Sequence, residues 1–346
     1  MFRTVTVGID GSRESLAAAE WAAREARLRA LPLRLVNVWE PVPEPMGRAP
    51  MLGTETEQNR QAAQAAQAAQ AAQAAKAAQA AQRAQAAQRA QHGRGRSAHG
   101  ETGAGKVLSE AADGIRLRHP GVDVAVEQLS GRASEELVKA APEAELLVLG
   151  SRGLSGIAGF LLGSVGLHVV AHTERPVVLV RAEERAADEH APGPAGAPAA
   201  RTPFRPVVLG LDIAHPDHTL IRFAFEAAAL RETALRILHD WSPPPRSGLR
   251  ERPGLGADLD AGLGRLDATA LSEVLGPWRR EYPSVEVVEE SRRGKAADHL
   301  LEASREASLL VVGRHVRHSP LGAHIGPVAH AVLHHAGVPV AVVSHD

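Results

Sequence analysis

The sequence predicts an α/β protein built from two tandem copies of one unit, each an open, mainly parallel five-stranded sheet with helices on both faces. Three observations carry that prediction. Landmarks recur at fixed offsets, short apolar runs alternate with segments of helical period, and a glycine-bearing connection follows the fourth strand of each copy. "TVTVGID" at 4–10 matches "PVVLGLD" at 206–212 and Trp39 matches Trp241, both at an offset of 202. Gly131 and Gly294, Gly150 and Gly313, Gly163 and Gly326, and Pro176 and Pro339 all match at an offset of 163. The first copy therefore holds 39 more residues between Pro41 and Gly131. Such internal similarity fixes the architecture before any single element is assigned.

The elements of the first copy follow in order. Residues 4–9 form a continuous apolar-rich run suited to a strand buried on both faces. Ser12 is an N-cap for the next segment, in which Leu16, Ala19, Ala23 and Ala26 recur at helical spacing. "LRLVNVW" is the second strand. A long Gln-Ala-Ala repeat over 58–91 comes next, inside an insert of about 54–105. Alanine and glutamine favour helix, and as one helix the repeat spans about 50 Å at ~1.5 Å per residue. Its period of three drifts around the helix and gives no sustained apolar seam, so it reads as a low-complexity helix or arm. Strand "DVAVEQL", helix "ASEELVKAA", strand "ELLVLG", the glycine-rich loop, helix "SVGLHVVAHT" and strand "PVVLVR" complete the copy. Alternation of this kind implies parallel pairing through right-handed crossovers. The predicted organisation is a first domain over 1–181, an Ala, Pro and Gly-rich linker over 182–205 and a second domain over 206–346.

Composition narrows the function classes. The chain has 346 residues, 44% of them hydrophobic, enough for two cores. A net charge of -1 argues against broad binding to nucleic acid or anionic membranes. The chain contains no cysteine, which excludes disulfides, thiolate nucleophiles and cysteine metal sites. With no leader-like apolar segment at the start and no run of roughly 18 apolar residues, the expectation is a cytoplasmic protein that meets no membrane.

The loop "GSRGLSGIAGFLLGS" at 150–164 leaves a strand and enters a helix, the place where open α/β sheets bind ligands. Glycines there let backbone N–H groups approach phosphate oxygens, and the helix N-terminus adds its positive end. The spacing is Gly150, two residues, Gly153, nine residues, Gly163, Ser164. Here the chain resembles the universal stress protein family in its tandem, actinobacterial form, over both copies. The family's nucleotide-binding members carry G-x2-G-x9-G-[S/T], and the first copy matches every position. The resemblance implies a flavodoxin-like or Rossmann-like sheet with ATP, with or without Mg²⁺, at the carboxyl ends of the strands. It places Asp10 at the adenosine moiety, the backbone of Val38 at adenine and Gly150 near the ribose. Gly153, Gly163, Ser164 and Val165 lie along the phosphates in that reading.

The second copy departs from the pattern: Val316 stands at the Gly153 position, Pro327 at the Ser164 position and Asp240 at the Val38 position. Proline removes a hydroxyl and an N–H donor, and Asp240 adds negative charge beside a polyanion. The first copy alone is therefore expected to bind ATP. Other signals carry less. "GETGAGKV" at 100–107 lacks the Ser or Thr of a P-loop and follows no strand. The pairs His168 and His172, and His330 and His334, sit at i, i+4 spacing without a third ligand, and Trp39 and Trp241 read as packing residues at strand ends. With no visible general base, nucleophile or phosphate-loop lysine, the expected role is a regulatory ATP-binding module of the stress response, at most slow in hydrolysis and acting through protein partners. A weak Mg²⁺-dependent ATPase or phosphotransferase and a nucleotide-free scaffold using the Gln-Ala-Ala arm are the alternatives. Family members pair two domains through their last strands, which implies an intramolecular pseudo-dimer over 176–180 and 339–343, with a homodimer as the further assembly.

Overall fold

Short β-rich runs and amphipathic helices alternate along the chain as the sequence indicates, and the hydrogen-bond register of the strands reproduces the repeat offsets. The computed structural model describes residues 3–40, 103–151, 163–193, 202–241, 255–316 and 325–345. The Gln-Ala-Ala repeat over 58–91 lies outside the described residues. The first half comprises β1 (Thr4–Gly8), α1 (Arg13–Leu28), β2 (Leu33–Trp39), α2 (Gly103–Arg118), β3 (Val124–Ser130), α3 (Ala133–Ala140), β4 (Ala144–Ser151), α4 (Ser164–His172) and β5 (Val177–Arg181). The second comprises β6 (Val207–Gly210), α5 (His218–Leu230), β7 (Leu235–Trp241), α6 (Leu255–Glu281), β8 (Val287–Arg293), α7 (Ala296–Ser304), β9 (Leu309–His315), α8 (Pro327–His335) and β10 (Val340–His345).

One ten-stranded sheet runs in the order β3-β2-β1-β4-β5-β10-β9-β6-β7-β8. All pairings within a half are parallel. Val5 pairs with Leu33 and Leu146, and Val207 pairs with Leu235 and Leu309. Each partner is displaced by the repeat offset, 202 residues for Leu33 and Leu235 and 163 for Leu146 and Leu309. Alternate residues of β4 enter different cores, Leu146 and Val148 one face, Leu147 and Leu149 the other. A strand buried on both sides must be apolar at successive positions, which is why this segment reads as an unbroken run.

The halves join where β5 and β10 pair antiparallel, Leu179 with Val340, Val178 with Ala341 and Val177 with Val342. Under the 163-residue offset this pairing is symmetric about Val178 and Ala341. Side chains reinforce it: Ser344 Oγ donates to the Glu174 carbonyl at 2.6 Å and Arg314 Nη2 to the Thr173 carbonyl at 2.7 Å. A buried ion cluster also crosses between halves. Glu25 of α1 accepts from Arg29 Nε at 2.6 Å and from Arg231 Nη2, just past α5, at 2.6 Å. Burial alone pushes the Glu25 carboxyl up, but Arg231 and Arg29 outweigh it and hold it below the ordinary carboxylate range.

The segment read as a linker carries structure of its own among its described residues. Ala186–Glu189 form a 3₁₀ turn, His190 bridges Phe204, and buried Glu189 accepts from Arg24 Nε of α1 at 2.9 Å. Its start is therefore held against the first half by charge pairing that a composition of Ala, Pro and Gly conceals.

Candidate functional site

The carboxyl ends of β1, β2 and β4 meet the N-termini of α1, α3 and α4 at a cleft in the first half. Asn37 fixes two of those ends, donating from Nδ2 to the Ile9 carbonyl at 2.7 Å. Gly11 takes a φ of +84°, which turns the chain into α1. Ser12 caps that helix, accepting from the Ser15 N–H at 3.2 Å. The same serine donates from its N–H (2.9 Å) and Oγ (2.6 Å) to Asp10 Oδ1, so the carboxylate is held at the mouth of the cleft.

Gly150 is required by close approach. A Cβ there would stand 2.5 Å from the Glu14 carbonyl carbon and 2.7 Å from the Ser15 nitrogen, both backbone atoms. At Gly163, the N-cap of α4, a Cβ would meet nothing within 4 Å among the described residues, and its φ of -61° suits any residue. Among the described residues, no close contact therefore demands glycine at this position. The first-turn N–H groups of α4 have no partner within the helix, and Gly163, Ser164, Val165 and Gly166 of that turn line the cleft. Asp10, Val38, Gly150, Gly163, Ser164 and Val165 all line this one cavity of about 180 Å³. Gly153 lies outside the described residues. Val36, Leu137 and Leu149 supply apolar walls. Apolar walls suit a planar ring, and open helix N–H groups suit an anion.

The second half forms a cleft at the same strand ends, with a larger volume of about 350 Å³. Size does not distinguish the halves in favour of the first; chemistry does. The Val316 N–H donates to the His345 carbonyl at 2.7 Å and is committed within the protein. Pro327 begins α8 where Ser164 begins α4, while the capping Gly326 keeps nearly the same backbone angles as Gly163. A Cβ on Gly313 would lie 2.6 Å from His345 Nε2, so that imidazole covers the position where α1 packs on Gly150. His239 replaces Asn37 and preserves its bond, Nδ1 donating to the Leu211 carbonyl at 2.9 Å. Its Nε2 faces Asp267 Oδ2 at 3.0 Å, and Ser291 Oγ donates to the same oxygen at 2.9 Å.

Asp240 requires a correction to the sequence reading. It is not a bare negative charge, because His299 of α7 donates from Nδ1 to its Oδ1. His299 matches Glu136 at the 163-residue offset. The change from valine to aspartate at one position and from glutamate to histidine at the other is a paired signal that sequence inspection of Asp240 alone misses. His239, Asp267 and His345 were likewise not identified from sequence, since each is placed by a different strand or helix.

Other signals resolve simply. The P-loop-like stretch enters α2, and Val107 packs beside Gly11. Trp241 packs on Gly264, whereas Trp39 is 43% exposed and only partly fits the packing role. His168 and His172 stack with centroids 4.0 Å apart. Among the described residues no group of three or more metal-ligating side chains is arranged to hold an ion, and no helix is long and apolar enough to cross a membrane.

Comparison with known proteins agrees with this geometry. The family model of the universal stress protein family matches residues 1–181 and 203–344. A universal stress protein of Mycobacterium tuberculosis is 31% identical over 345 residues, covering 98% of this chain and 96% of its own. One from Mycolicibacterium smegmatis is 29% identical over 344 residues, covering 98% and 96%. In fold, the chain is similar to the crystal structure of a universal stress protein from Archaeoglobus fulgidus, with a TM-score of 0.59, 17% identity and coverage of 99% and 98%. The repeat, the sheet topology and the two matches to the family model establish that this chain belongs to the universal stress protein family, with two such domains in tandem.

Proposed function

We propose that the first half binds a single ATP and that the chain works as a regulatory binding module, not as a dedicated enzyme. The observation that carries this is the glycine at the start of α4. Among the described residues nothing crowds a side chain at Gly163 and its backbone angles accept one, yet glycine stands there, lining the cleft at the start of α4 with Asp10 and Ser164. Those residues fit the nucleotide. The N–H groups and the Ser164 hydroxyl suit phosphate oxygens, Asp10 suits sugar hydroxyls, and Val36, Val38 and Leu137 suit the base. Val38 contributes its backbone there, and Gly153 belongs to the phosphate side by sequence. Bound Mg²⁺ would neutralise phosphate charge, since among the described residues lining this cleft there is no lysine, arginine or histidine. Among the described lining residues the ionisable side chains are the carboxylates of Asp10 and Glu14, so hydrolysis is expected to be slow. In the second half a proline and a committed N–H remove donors that a polyphosphate needs. The setting is cytoplasmic and the regulatory output runs through protein partners in this reading.

The test is calorimetric titration of the nucleotide-stripped full chain with ATP, alongside Gly163→Ala and Ser164→Ala. We expect one site per chain, weakened roughly tenfold or more by Gly163→Ala with the thermal midpoint unchanged, as loss of one or two charge-assisted hydrogen bonds implies. Unchanged affinity in Gly163→Ala refutes phosphate binding at α4. Single-turnover hydrolysis with and without Mg²⁺ tests the enzymatic alternative: a rate abolished in Asp10→Asn would replace the binding reading with a catalytic one.

A further inference from the structure

We infer that the joint between the halves holds a buried site for one small monovalent anion of the halide class, bound between Arg29 and Arg231. These arginines are repeat equivalents, since their numbers differ by the 202-residue offset. Each is the C-cap of its helix, Arg29 of α1 and Arg231 of α5, where a cation suits the helix dipole. Both side chains are buried, 6% and 1% exposed. They share Glu25, itself 1% exposed, whose repeat equivalent is Ala227. The cluster therefore sets two guanidinium charges against one carboxylate.

The hydrogen bonds say where a second acceptor belongs. Glu25 accepts from Nε of Arg29, four residues on in its own half, and from Nη2 of Arg231 across the joint. An acceptor related to it by the repeat would take Arg231 Nε and Arg29 Nη2. Those two nitrogens are buried and have no hydrogen-bond partner among the described residues. One acceptor at the equivalent position answers both, and the side chain that could have carried it is cut back to the methyl group of Ala227. Arg231 Nη1 donates to the Ala227 carbonyl at 3.2 Å, which holds that guanidinium beside the same turn. Guanidinium groups keep their charge in proteins, so a buried excess of one calls for a counter-ion and not for deprotonation. Glu226 of α5 lies near Arg29, but burial pushes its carboxyl up and weakens it in that role. The rings of Phe223 and Phe204 lie 5.3 and 5.8 Å from Cζ of Arg29 and Arg231. Such apolar flanks and a single excess charge favour a monovalent ion over sulfate or phosphate.

Arg29, Arg231 and Ala227 line neither cleft, so this inference stands or falls apart from nucleotide binding. The test is thermal melting of the full chain as sodium chloride replaces sodium gluconate at constant ionic strength. The midpoint is expected to rise by about 2 °C for each tenfold increase in chloride once the site begins to fill. Ala227→Glu supplies the acceptor covalently and should melt at or above the wild-type midpoint with the chloride dependence gone. A crystal grown in sodium bromide should show anomalous density between Arg29 and Arg231, which decides the matter even if Ala227→Glu fails to fold. A midpoint indifferent to chloride, as a bridging water would give, overturns the inference. So does bromide at exposed side chains only, an adventitious ion only, or an undiminished chloride dependence in folded Ala227→Glu.

Discussion

The two halves share strand order, register and helix placement, yet their clefts differ at nearly every polar position. Asn37 and His239 make the same bond to the end of the first strand of each half, one from an amide and the other from an imidazole. Gly163 and Gly326 adopt the same cap geometry ahead of serine in one half and proline in the other. The lesson is that the backbone preserves a cleft at the strand ends of both halves, while the side chains and helix starts that line it differ. Fold alone therefore says little about what either cleft holds.

The largest expected effect tests whether the halves are independent units at all. Arg231→Met removes the cation that crosses to Glu25 and leaves a buried charge partly uncompensated. We expect a loss of about 3–5 kcal/mol in urea denaturation, the usual scale for breaking a buried pair. The wild-type contribution has a defined pH dependence. Because the folded Glu25 carboxyl lies below its ordinary value of 4.5, the cluster stabilises fully above that value and loses its effect as pH falls through the folded pKa. A variant that loses little stability and unfolds as the wild type does at acid pH would mean the sheet joint alone holds the halves together.

A second measurement sharpens the contrast at the strand ends. In Gly150→Ala the new methyl meets backbone of α1, whereas in Gly313→Ala it meets the side chains of His345 and Leu220, which can move. We expect about 3 kcal/mol lost in the first and about 1 kcal/mol in the second. Equal costs would indicate that the start of α1 yields as readily as a side chain.

The smallest effect concerns Glu184, just after β5. Burial and the charge of Glu189 push its carboxyl up to about 8, and its Oε1 is buried without a hydrogen bond. A raised acid favours the protonated folded state, so this group makes stability decline as pH rises from about 4.5 to about 8. Glu184→Gln should flatten that part of the stability profile, read from denaturation midpoints at pH 5 and pH 8. A slope identical to wild type would remove Glu184 as its source.

Much of this was legible in the sequence because it is local or periodic. The offsets of 202 and 163 fix register, the apolar runs fix strands, and Ser12 fixes the start of α1. The glycine pattern located the cleft at β4 and α4. What escaped were contacts whose members are distant in sequence and ordinary one at a time. Glu25 and Arg231 look like solvated helix charges until the joint between β5 and β10 brings them together. His299 and Asp240 have unremarkable sequence neighbours, and only the packing of α7 on β7 reveals them as a pair. The 3₁₀ turn in the linker escaped for a related reason, since its anchor is Arg24 in α1.

The antiparallel joint of β5 and β10 has a consequence for how the molecule meets its surroundings. Strands in one half point opposite to those in the other, and each cleft sits at the carboxyl ends of its own strands. The two openings therefore look out from opposite margins of a shared sheet. Whatever enters one cleft therefore approaches from the margin opposite the other, and covering one margin leaves the other open.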